Sequence, residues 1–334
     1  MTDKYWDRLV TAHNKRLAAG ADDPNATWPD PELGAWLFGV RDGEASYKAP
    51  DVGTREVMLS HQGGSFRVRI YVPHTPAAAR PLLVWNHGGA WAAGDLDMPE
   101  ADATSREVAS AADAVVVSVD YRRAVEGLHY PAPLDDVVHA FRWAYQHADE
   151  LGADRGRVTL GGASAGANLA AGAALRLRDE AAPMPRSLIL AYPTLHPELP
   201  QASSELQGKL DRMSGNEAFM PEAFNVMVEN YLGGPASDAP MYGMPGVAPD
   251  LTRMPVTYIV NDEFDALRSS AELFADQLRR AGTDVVLETV PGVPHGHLNR
   301  PGIIETQRSY ADLAAWVREQ TVPQAAVVLD GVAS

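Results

Sequence analysis

The chain has 334 residues, 46% hydrophobic and 22% charged, enough to bury a substantial core and unlike a disordered chain or a coiled coil. It carries 28 basic and 44 acidic residues, a net charge of -16, which repels phosphate backbones and anionic lipid and argues against nucleic acid or a membrane as partner. No cysteine is present, so disulfides, thiolate metal sites and cysteine nucleophiles are excluded.

The opening MTDKYWDRLV has charges where a signal peptide needs an apolar run, and no apolar stretch of about 18 residues follows, so a cytoplasmic, unanchored protein is expected. Apolar residues at helical spacing predict an amphipathic helix over residues 3–19. Residues 21–50 are rich in Pro, Asp and Gly yet hold Trp28, Trp36, Leu37 and Phe38. These rings either pack the segment onto the body or help to roof a pocket.

Strands are expected over Thr54 to Ser60 and Phe66 to Val72, with Gly63 and Gly64 making a hairpin. Beyond them the apolar runs stop alternating. Leu82 to Trp85, Ala114 to Val119, Val158 to Leu160, Leu188 to Leu190 and Val256 to Val260 are separated by helical stretches near 99–112, 134–149, 164–178 and 268–281. Strands apolar on both faces, alternating with helices, predict an α/β protein with a mostly parallel central sheet covered on both sides. Between Tyr192 and Pro255 this rhythm breaks into text rich in proline and methionine, including Met213, Met220, Met227, Met241 and Met244. A helix over Pro221 to Tyr231 is expected there.

The sharpest chemical signal is Gly162-x-Ser164-x-Gly166, set between a short strand and an Ala-rich helix. That is the context of a nucleophile elbow, where a strained turn lifts a serine hydroxyl above the sheet and only small neighbours fit. Nucleotide readings fail, because Ala167 and Asn168 stand where a phosphate loop needs Lys and Ser or Thr, and Ala163 replaces a fingerprint glycine. Upstream, Asn86-His87-Gly88-Gly89-Ala90-Trp91 follows a strand and offers glycine N–H groups for an oxyanion hole. Gly88, Gly89 and, from the elbow, Ala165 are the expected donors, with His87 bracing the loop.

A serine nucleophile needs a base oriented by a carboxylate. Asp262, Glu263 and Asp265 follow one late strand, and His295 and His297 follow another, the chain order Ser, acid, His of this elbow. Spacing alone separates neither the acids nor the histidines. A metal site on the two histidines lacks a third ligand of convincing spacing, so no metal and no cofactor are expected.

Five blocks together resemble the hormone-sensitive-lipase-like branch of the α/β hydrolases: HGGAW at 87–91, DYR at 120–122 with PAPLDD at 131–136, GGASAGAN at 161–168, DEFDALR at 262–268 and GVPHGH at 292–297. The resemblance implies a serine esterase or lipase acting on small-molecule esters, with Asp265 as the acid and His295 as the base. It also implies a cap formed by residues 1–50 and 196–250 over a core of 51–195 and 251–320, and pairing into a homodimer; residues 321–334, which show no clear period, are expected to form a peripheral tail. Ala90, Ala266, Ser269 and His297 depart from the family pattern, and Trp91 and His297 are expected to contact substrate. An amidase, lactonase or deacylase would use the same triad, and a non-catalytic binding protein on this fold is the remaining alternative.

Overall fold

The computed structural model describes residues 46–211 and 221–319. The expected helix at 3–19, Trp28, Trp36, Phe38, Met213, Met220 and the tail at 321–334 lie outside them. The strands of the described residues are β1 (Gly53–His61), β2 (Gly64–Val72), β3 (Arg80–Asn86), β4 (Val115–Asp120), β5 (Ala153–Ala163), β6 (Ser187–Ala191), β7 (Val256–Phe264) and β8 (Val285–Pro294). They form one sheet in the order β1-β2-β4-β3-β5-β6-β7-β8. The hairpin β1–β2 joins antiparallel to β4, and every pairing from β4 to β8 is parallel.

The helices are α1 (Pro99–Ala112), α2 (Ala132–Gln146), α3 (Ala165–Asp179), α4 (Ser204–Leu210), α5 (Pro221–Leu232), α6 (Arg268–Arg280) and α7 (Ile304–Glu319). One face of the sheet buries Val108 of α1 and Leu313 and Trp316 of α7. The opposite face buries Phe141 of α2, Leu169 and Leu175 of α3, and Phe274 and Leu278 of α6. Two covered faces explain why β3 is buried at every position and why its sequence shows no alternation. Each large side chain so buried contributes about 1.5–3 kcal/mol of transfer free energy.

The order of strands also selects where a site can form. From β3 the chain steps to β4 on one side, then crosses to β5 on the other. The loops leaving β3 and β5 therefore diverge and open a crevice at the carboxyl ends of the strands. Those two loops are HGGAW and the elbow.

The break between β6 and β7 carries α4 and α5. Helix α5 agrees with the expected Pro221 to Tyr231 and buries Phe224, Met227, Val228 and Tyr231 against the main core. Met244 is also buried, so these methionines fill a core. The short α4 had no periodic signal; Ser203 starts it by accepting the Leu206 N–H at 3.1 Å.

Candidate active site

Ser164 stands between the end of β5 and the first residue of α3, at φ 52 and ψ -117. A non-glycine residue there is strained, and the strain is held by packing on every side. A Cβ at Gly166 would overlap the carbonyl oxygens of Asn86 and His87, and one at Gly162 would strike the backbone of Gly166. The Ser164 N–H donates to the carbonyl of Ala191 on β6 at 2.8 Å, which pins the turn to the sheet.

Asp265 and His295, the expected acid and base, directly follow the ends of β7 and β8. His295 Nδ1 lies 2.7 Å from Asp265 Oδ2, and His295 Nε2 lies 3.1 Å from Ser164 Oγ. An ionised carboxylate can only accept, so Nδ1 bears the proton and Nε2 is left to accept from the serine hydroxyl. Asp265 is buried, and its other oxygen accepts the Leu267 N–H at 2.9 Å. Burial pushes the Asp265 carboxyl above its ordinary range, with His295 opposing. Burial disfavours the charged His295 ring, but Asp265, Asp262 and Glu100 outweigh it and hold its pKa above the usual imidazole value.

The glycine loop is organised by an acid that sequence reasoning missed. Glu100 of α1 is 2% exposed; it accepts the Gly88 N–H at 2.6 Å, the Tyr192 hydroxyl at 2.8 Å and the Asn299 side-chain amide at 2.9 Å. Gly88, expected as an oxyanion donor, therefore spends its N–H on Glu100, and this corrects its assignment. Gly89 and Ala90, the next residues of the loop, have left-handed backbones at φ 107 and φ 52. His87 braces the loop as expected: its Nδ1 bonds the Gly88 carbonyl at 2.7 Å, its ring stacks on Tyr121 at 4.4 Å, and burial lowers its pKa. The Tyr121 hydroxyl in turn donates to the His87 carbonyl at 2.9 Å.

Trp91 and His297 are not free to touch substrate as expected. Trp91 is 1% exposed, donates its indole N–H to Asn168 Oδ1 at 3.2 Å and stacks on Tyr231 of α5 at 4.4 Å. Its large ring is used to seat α5. His297 is buried with its ring directed to Asp262 on one side and to Ser309 on the other. The DYR and PAPLDD blocks serve as scaffold, because buried Asp136 accepts the Arg122 N–H at 2.8 Å and pairs with its guanidinium and with His61. The only sequence hint of Glu100 is its place behind the helix-starting Pro99.

A strained serine at a topological switch point, a histidine and a carboxylate in line behind it, and a glycine loop opposite define an α/β hydrolase with acyl-transfer machinery. A family model described as alpha/beta hydrolase fold matches residues 83–299, and the chain belongs to that family. The esterase LipI of Mycobacterium tuberculosis is 33% identical over 260 residues, covering 76% of this chain and 78% of its own. Carboxylesterase NlhH of the same species is 34% identical over 258 residues, covering 75% and 77%. Among solved structures, an esterase of Pyrobaculum calidifontis superposes with a TM-score of 0.74 at 28% identity, covering 82% of this chain and 87% of its own.

Proposed function

We propose that this chain is a serine carboxylesterase that cleaves esters of small to medium acyl groups through Ser164, His295 and Asp265. The observation that carries the reading is the continuous hydrogen-bonded line from Asp265 through His295 to Ser164 at the carboxyl ends of the strands. His295 takes the hydroxyl proton as Ser164 Oγ bonds the ester carbonyl carbon, and the oxyanion is received by the N–H groups of Gly89, Ala90 and Ala165. The imidazolium then gives its proton to the departing alcohol. Water, deprotonated by the same ring, releases the acid and restores the serine. The esterase names of the relatives support the ester class.

In the same reading residues 196–250, with the segment 1–50, cap the site; the packing of α5 on Trp91 supports the first of these. The cysteine-free composition supports a reducing compartment, and we place the reaction in the cytoplasm. Among the described residues no helix is long and apolar enough to cross a membrane. Sedimentation velocity tests the homodimer. The decisive experiment is turnover of aryl esters graded in acyl length by the wild type and Ser164→Ala, which is expected to lose about ten-thousand-fold or more in kcat. Retention of most activity by Ser164→Ala removes Ser164 as the nucleophile.

A further inference from the structure

Two residues beyond His295 the same three side-chain types meet again, closed off from solvent. Asp262 is 0% exposed, His297 1% and Ser309 4%. His297 donates its Nδ1–H to Asp262 Oδ1, and its Nε2 accepts the Ser309 hydroxyl at 2.8 Å. With both ring nitrogens engaged and no exposed edge, this set cannot receive a substrate. What it holds is backbone. Asp262 Oδ2 accepts the N–H of Gly296 at 2.7 Å and of His297 at 3.3 Å, the two peptides that directly follow His295. Helix α7 grips the same turn, as the Thr306 hydroxyl donates to the His297 carbonyl at 2.7 Å and Tyr310 to the Leu298 carbonyl at 3.1 Å.

We propose that Asp262, with His297 and Ser309, forms a buried positioning set that fixes the turn carrying His295 and adds a second negative charge behind its ring. The inference rests on the triad reading above. Asp265 orients one ring nitrogen but leaves the peptides after His295 unheld; Asp262 supplies the missing acceptors. Three N–H donors on one buried carboxylate are what an ionised group requires there. Around His295 lie Asp265 from the loop after β7 and Asp262 from β7, each with a carboxylate oxygen within 4.8 Å of a ring nitrogen, the Tyr192 ring edge-on at 5.1 Å after β6 and Ser164 from the elbow, with the charge of Glu100 from α1 also acting on the ring. Of these, the three carboxylates favour the protonated ring. Removing the Asp262 charge therefore lowers the pH at which His295 becomes a free base.

The test is the second-order rate of Ser164 labelling by a fluorophosphonate across the acid pH range, with thermal melting as the check on folding. Asp262→Asn keeps the size but presents an N–H where acceptors are needed. It is expected to label about ten- to hundred-fold more slowly at its plateau, with the acid midpoint moved to lower pH. His297→Asn keeps a donor near the Nδ1 position and stays close to wild type, while His297→Phe keeps ring bulk, loses the donor and falls with Asp262→Asn. This pair decides the matter if Asp262→Asn does not fold. Equal rates and midpoints for Asp262→Asn and wild type, or equal losses in the two His297 variants, overturn the inference and leave the triad standing. A wild-type chain that takes no label at Ser164 overturns the triad reading and the inference with it.

Discussion

Ser164 keeps its strained backbone only because nothing larger than hydrogen stands at Gly162 and Gly166. Gly166→Ala forces a methyl into the carbonyls of Asn86 and His87, so it is expected to destabilise by about 3 kcal/mol or more and to abolish turnover. Loss of melting temperature together with Ser164 labelling checks it. In the proposed mechanism His295 must be neutral to accept the serine proton, and its neighbours hold its pKa above the ordinary value of 6.5, so kcat/KM should rise with pH through a midpoint above 6.5. A rate profile with its acid midpoint below that value contradicts the burial and charge balance described. Glu100→Gln removes one of the three carboxylates and puts a donor among donors. It should lower that midpoint and cost about 1–3 kcal/mol of stability, read from pH profiles and urea melts. At this scale the strained turn at Ser164 was legible, since the glycines around it state their own steric reason. The choice between Asp262 and Asp265 was not, because it depends on the register of β7 against β8. Asp262 pairs with Val290 and Phe264 with Pro294, with an irregularity between, and this offset sends Asp262 to His297 and Asp265 to His295.

The parallel strands were readable as apolar runs because both faces of the sheet are covered, and helices α1, α3 and α6 began within one residue of expectation. Strand β5 is longer than its apolar centre because Ala153 pairs with Arg80 across a bulge, a contact that no local pattern announces. Trp91 misled for a related reason: an aromatic beside an oxyanion loop suggests a substrate wall, but the partner that buries it, Tyr231, lies far along the chain on α5. The stacked pair contributes about 0.5–1.5 kcal/mol beyond area burial. The Tyr130 N–H also donates to the Tyr231 carbonyl at 2.7 Å, so α5 is held at this point by ring and backbone together. Tyr231→Ala is expected to cost about 3–5 kcal/mol and to raise KM more than it lowers kcat. Differential scanning calorimetry and steady-state kinetics with a short aryl ester measure the two effects.

At the scale of the whole molecule, one sheet brings together four loops from distant parts of the text, each at the carboxyl end of a different strand. The proposed chemistry needs only protons and backbone dipoles, so prolonged chelation is expected to leave ester turnover unchanged; an activity restored by added divalent metal would contradict it. Ser164 and His295 are 131 residues apart in sequence, and β8, which delivers the histidine, is an edge strand hydrogen-bonded to β7. Bringing groups so far apart in sequence together carries a loop-closure cost that slows folding. Recovered hydrolysis should therefore trail the return of the far-ultraviolet signal, making the enzyme a stopwatch for the docking of its own last strand.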